Sequence, residues 1–226
     1  MNQNLTHVAF ILDASGSMAQ LRADTIGSFN RMLADQRAVQ RPDAKVEVTL
    51  VTFNDEHRTV FAGRDIGHVH DLDNSTYQPD GNTALLDAVG TTIDALGERF
   101  AAQPEDQRPS KVLVVIVTDG EENASRHFNA DQVRARIQRQ ERDYGWNIVF
   151  IGANIDVEKE SMALGLRPGA SGAYSPTPAC TRSVFAFASQ VITGVSTGRS
   201  GKRVDVSDYS AVNDLLTAVK PPSKTN

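Results

Sequence analysis

A chain of 226 residues with 40% hydrophobic and 23% charged residues is long enough for one α/β domain with a sizeable core, or for two small ones. Its net charge of −5 gives no general attraction for nucleic acid or for an anionic lipid surface, and no apolar stretch approaches the roughly 18 residues that span a bilayer. The one cysteine, Cys180, allows no internal disulfide, which favours a reducing compartment. The opening residues Met1 to His7 carry neither a basic n-region nor an apolar h-region and are read as the start of a cytoplasmic protein.

Short apolar runs alternate with segments of helical period. That alternation predicts a mostly parallel sheet covered by helices. Residues 8–12 form the first strand. Ile26, Phe29 and Leu33 share one face of a helix over 21–39, closed by Pro42. A second strand covers 46–53, and the short polar link 54–57 leads to Thr59, Val60 and Phe61. A connection so brief requires an antiparallel partner, hence a hairpin at the sheet edge. The polar stretch 63–82 is long enough to be functional.

Leu85, Val89, Ile93, Leu96 and Phe100 carry the strongest helical signal in the chain. A polar loop over 103–110 precedes a buried strand over 112–117. Val133, Ile137 and Tyr144 mark a helix that stops at Gly145. A strand over 147–151, a short helix over 157–164 and a weak strand over 170–174 follow. The last helix carries Val184, Ala188, Val191 and Val195. One domain over 1–198 is expected, with a polar, partly disordered tail over 199–226 that holds a short helix within 204–219.

Three segments place oxygen-bearing side chains where strands end or a helix begins. Asp13, Ser15 and Ser17 follow the first strand, Asp119 lies in Thr118-Asp119-Gly120 after the 112–117 strand, and Thr83 closes Asp80-Gly81-Asn82-Thr83 before the strong helix. An open α/β sheet binds ligands beyond the carboxyl ends of its strands, where strand order reverses. If the first strand and the 112–117 strand flank that reversal, Asp13 and Asp119 emerge about 5 Å apart. Two carboxylates that close repel, and a divalent cation removes the conflict. Two carboxylates and three hydroxyls, with no nitrogen or sulfur, suit a hard cation such as Mg²⁺, with Mn²⁺ or Ca²⁺ as alternatives. Two carboxylates balance a divalent cation; if one aspartate acts through water, the ion keeps residual positive charge and an open position.

The phrases Phe-Ile-Leu-Asp-Ala-Ser-Gly-Ser-Met, Gly-Asn-Thr-Ala-Leu and Val-Ile-Val-Thr-Asp-Gly-Glu-Glu-Asn resemble the signature of von Willebrand factor A domains. Phe150 to Asn154 is similar to bacterial stand-alone members of that family, and the resemblance spans about residues 8–195. It implies a Rossmann-like three-layer α/β/α sandwich with one antiparallel edge strand. It further implies a metal-ion-dependent adhesion site at Asp13, Ser15, Ser17, Thr83 and Asp119, completed by a partner protein's Glu or Asp. The expected role is a non-catalytic, metal-dependent adaptor, of the kind found beside an ATPase or another enzyme of a multiprotein assembly.

Bland readings stand beside these. Alone, residues 13–17 read equally as a turn whose serines cap a helix. Glu121 and Glu122 read as a solvated face. His68 and His70 lack a third ligand of known proximity for a soft metal. The run 198–203 has the wrong spacing for a phosphate loop, and Cys180 is a buried or semi-buried thiol with no nearby base. The competing function is a Mg²⁺-dependent phosphohydrolase of haloacid-dehalogenase-like type. Such enzymes need a second acidic residue where this chain has Ser15, and Lys111 enters its strand at the end opposite Asp119.

Overall fold

Residue parity along the central strands sets the layers. In the computed structural model, which describes residues 1–40, 44–198 and 204–208, strand β1 (Asn2–Asp13) is buried on both sides from Leu5 onward. Val8, Phe10 and Leu12 enter one hydrophobic cluster, and Ala9 and Ile11 the other. Strand β4 (Pro109–Thr118) repeats the division, with Leu113, Val115 and Val117 on the first face and Val112, Val114 and Ile116 on the second. A strand apolar on both faces belongs inside a parallel sheet with helices on either side.

The six-stranded sheet runs β3-β2-β1-β4-β5-β6, completed by β2 (Lys45–Phe53), β3 (His57–Asp65), β5 (Asn147–Gly152) and β6 (Ser171–Ala173). Every pairing is parallel except that of β3 with β2, which forms the expected edge hairpin. Helices α1 (Arg22–Val39) and α5 (Pro178–Ser196) pack on the first face, while α2 (Leu85–Ala101), α3 (Ala130–Tyr144) and α4 (Val157–Ala163) cover the second. The order of strands reverses between β1 and β4, as the site argument requires.

Local signals account for most boundaries. Asn129 and Gln132 form a reciprocal capping box at the start of α3, and Gly145 ends it in the left-handed region at φ 67°. Thr177 caps α5, with Pro178 in its first turn. Several bounds differ from expectation. The first strand begins at Asn2 instead of 8, the edge strand is longer than 59–61, β4 begins at Pro109 instead of 112, and a 3-10 turn (Gly16–Leu21) precedes α1. Pro109 is tolerated because it opens its strand. Pro42 and the run 199–203 lie outside the described residues, as does everything after 208. Within 204–208, Val206–Asp208 forms a 3-10 turn, and Val204 and Val206 are buried against the core. Among the described residues no helix is long and apolar enough to cross a membrane.

His7 is fully buried on β1, its Nε2 3.0 Å from Thr49 Oγ1 and its ring edge-on to Phe100. Burial holds its pKa below the ordinary value, against the opposing pull of Glu47, whose carboxylate lies 3.5 Å from Nδ1. The unfolded chain therefore binds the proton more readily. Stability is complete above the unfolded pKa of about 6.5 and declines as pH falls below it, by at most about 1.4 kcal/mol per pH unit. Urea denaturation at pH 7 and pH 5.5 is expected to show this loss, and His7→Gln to flatten it. An unchanged slope in the variant would assign the pH dependence elsewhere.

Candidate metal centre

The register pairs Leu12 with Val117, which brings Thr118 alongside Asp13. Parity turns both toward the α2 face. Thr118 Oγ1 donates to Asp13 Oδ2 at 2.5 Å, and the Ser15 backbone N–H donates to Asp13 Oδ1 at 2.7 Å. Asp119 stands one residue beyond the strand and is reached through Ser17, whose hydroxyl donates to Asp119 Oδ1. Ser15 Oγ lies 3.0 Å from Ser17 Oγ. Ser15 occupies the N-cap position of the 3-10 turn, yet its hydroxyl makes no capping bond. The helix-capping reading of these serines is thereby displaced.

Thr83 joins from the separate loop before α2. A Cβ built on Gly120 would lie 3.0 Å from Thr83 Oγ1 and 3.9 Å from Ser17 Oγ, so glycine is what lets the Asp119 turn approach the threonine. The five side chains predicted from the sequence thus converge at one sheet end, from the end of β1 and the 3-10 turn after it, the loop before α2 and the turn after β4. All are buried except Ser17, which is exposed at the mouth.

Tyr77 and Asp55, whose roles the sequence reading missed, help to hold the loops together. Tyr77, buried within the long polar stretch, donates its hydroxyl to Asp13 O at 2.6 Å. Asp80 N–H donates to Ala14 O at 2.9 Å, and Gly16 N–H donates to Gly81 O at 3.0 Å, strapping one loop across the other. Gly81 adopts φ +74°, and a Cβ there would fall 2.0 Å from Asp55 Oδ2. That carboxylate is occupied by Asn82, accepting from its backbone N–H and its side-chain amide. The signal for Tyr77 was present as a lone aromatic in a polar stretch. Glu122 is only half exposed, and its carboxylate turns onto backbone N–H groups, so the solvated-face reading fails for it.

The site is short of positive charge. Burial pushes the Asp13 carboxyl above its ordinary pKa against the hydrogen bonds from Thr118 and Ser15, and the nearby Asp119 adds to the rise. Asp119 is raised by burial against the bond from Ser17. Among the described residues no lysine, arginine or histidine forms an ion pair with either carboxylate. Buried carboxylates without a cationic partner, surrounded by hydroxyl oxygens, fit a hard divalent cation. Lys111 lies at the far end of β4 and donates to Ser196 O at 3.0 Å. His68 is largely exposed, and among the described residues no three His, Cys, Asp or Glu side chains form a metal-binding group. Cys180 is buried, as expected.

Residues 7–177 match the model of the von Willebrand factor type A domain. The chain belongs to that family. No curated protein matches it. Among solved structures, this A-type domain is similar to proximal thread matrix protein 1 of the mussel byssus with a zinc-occupied MIDAS motif, at 18% identity and a TM-score of 0.55. That match covers 83% of this chain and 47% of the mussel protein. A D319A mutant of the PilB minor pilin from Streptococcus sanguinis matches at 14% identity and TM-score 0.58, covering 89% of this chain and 64% of the pilin. Manganese-loaded TRAP protein of Plasmodium vivax matches at 16% and 0.51, covering 77% and 70%. The chain therefore spans about half the length of the mussel protein, and these likenesses establish a shared fold. A-type domains commonly bind divalent metal at this motif and mediate protein–protein interaction. The phosphohydrolase alternative finds no support in the family match.

Proposed function

We propose that this A-type domain is a cytoplasmic, non-catalytic adaptor whose complete adhesion site at Asp13, Ser15, Ser17, Thr83 and Asp119 holds Mg²⁺ and captures an acidic side chain of a partner protein. The observation that carries the reading is the pair of buried carboxylates, lifted in pKa and lacking any cationic neighbour among the described residues. The all-oxygen donor set suits Mg²⁺ or Mn²⁺ better than a soft metal. Asp13 is fixed at both carboxylate oxygens by Thr118 and Ser15, so its orientation is set before any ion arrives. The exposed residue Ser17 marks the solvent side, where an incoming carboxylate gains access. When bound, the ion supplies the positive charge that a partner's acid completes. The bacterial stand-alone character, and a partner that is an ATPase or another enzyme of a multiprotein assembly, belong to the same reading. The single cysteine accords with a cytoplasmic setting.

Immobilised chain in Mg²⁺ buffer is expected to retain proteins from an extract that EDTA then releases, with mass spectrometry naming them. The same proteins are expected to pass through a column of the Asp119→Ala variant. Retention that survives both EDTA and the substitution would exclude metal-bridged capture.

A further inference from the structure

Residues 120–129 link Asp119 to α3 without regular hydrogen-bonded structure, so their backbone groups need partners from elsewhere. Two carboxylates supply them. Glu122 accepts from the backbone N–H groups of Ala124 at 3.0 Å and Ser125 at 2.8 Å through Oε1, and from Leu86 N–H at 2.9 Å and the Ser125 hydroxyl at 2.7 Å through Oε2. Asp87 accepts from Arg126 N–H at 2.8 Å through Oδ2, and from His127 N–H at 2.9 Å and Phe128 N–H at 2.8 Å through Oδ1. Its own backbone N–H donates to Ser125 Oγ at 3.0 Å. Burial opposes ionisation of Asp87, and the three N–H groups outweigh it, so the carboxyl lies below its ordinary pKa.

Both acids lie within reach of the first turn of α2, where unpaired N–H groups favour negative charge. Two residues ahead of that turn, next to the N-cap residue Ala84, lies Thr83. Its N–H donates to Asn123 Oδ1 at 2.9 Å, and its carbonyl accepts from Asn123 N–H at 3.1 Å. The loop that carries Asp119 is thereby bolted to the loop that carries Thr83. Without these bonds nothing in the strand geometry fixes the distance between the two, because Thr83 belongs to neither β1 nor β4.

We propose that Asp87, Glu122 and Asn123 are positioning residues of the metal centre, setting Thr83 in register with Asp119 by clamping the 120–128 loop onto the N-terminus of α2. This rests on the metal-binding reading above and adds to it the residues that set its geometry. None of the three belongs to the proposed ligand set. They act through the backbone, and the affinity of the site records how well they do so.

Isothermal titration of the full chain with Mg²⁺ and with Mn²⁺ tests this, alongside thermal melts in EDTA. Glu122→Ala and Asp87→Ala are expected to weaken metal affinity by about tenfold or more, the cost usual for removing support around a ligand. Glu122→Gln, which keeps one carbonyl acceptor, is expected to fall between Glu122→Ala and the unsubstituted chain. Asn123 is exposed, so Asn123→Ala leaves the core untouched and reports on Thr83 even where the carboxylate variants fail to fold. Variants that melt earlier in EDTA yet bind metal with unchanged affinity would overturn the proposal and make the three residues merely structural. An unsubstituted chain that binds neither ion would instead overturn the metal centre itself, and the proposal with it.

Discussion

Mg²⁺ at a hundred times its Kd is expected to raise the unfolding free energy of the unsubstituted chain by about 2.7 kcal/mol, and Asp119→Asn is expected to remove most of that gain. The sheet end carries negative charge with little to balance it. Asp13 and Asp119 are both buried, both raised in pKa, and neither meets a cationic side chain among the described residues. Asparagine preserves the acceptor for the Ser17 hydroxyl while deleting one of the two charges that would neutralise the ion. A hundredfold loss of affinity leaves about 0.4 kcal/mol of stabilisation at the same Mg²⁺ concentration. In EDTA the variant is expected to be at least as stable as the parent, because a buried carboxylate has been replaced by a neutral group. Chemical denaturation with and without Mg²⁺ reads both quantities. Equal stabilisation of parent and variant would place the ion elsewhere.

Phe29→Ala is expected to cost about 3–5 kcal/mol, a large share of the 5–15 kcal/mol typical of a domain. Phe29 is fully buried, and its ring meets Phe10 edge-on at 5.3 Å between centroids and Phe185 at 5.8 Å. It thus joins β1, α1 and α5 in one aromatic stack. Phe29 lies in the cluster with Leu12, whereas Asp13 points to the opposite face. Metal affinity of the folded variant is therefore expected to match the parent while the urea midpoint drops. A matching loss of metal affinity would show that the two faces of the sheet are coupled.

The parallel sheet and its edge hairpin were legible in the sequence because doubly buried strands cannot hide their composition. The 112–117 run and the heptad-like spacing from Leu85 to Phe100 left little choice of element. The convergence of Asp13, Ser15, Ser17, Thr83 and Asp119 was also legible, since each sits at a strand exit or a helix entrance. The supporting residues were not. Thr118 read as part of the turn after the 112–117 strand, but it ends β4, and register with β1 makes it the hydrogen-bond partner of Asp13. Glu122 looked solvated because no local pattern reveals that the N-terminus of a helix far back in the chain lies above it. Tyr77 and Asn123 act through backbone groups of distant residues, and backbone partners leave no trace in side-chain periodicity.

The return of residues 204–208 has a bearing on solubility. The strand β6 has three residues and forms one border of the sheet, where unpaired peptide groups invite a neighbouring molecule to add a strand. Val206 N–H donates to Gly169 O at 2.7 Å just before that strand, and a Cβ on Gly172 would meet Val206 Cγ1 at 3.1 Å. With Val204 and Val206 seated in the core, the late segment works as a selvage that finishes the border of the weave. Chains shortened to the family-matched region would lose both this hem and α5, and the raw margin would be left open to stitch molecules together.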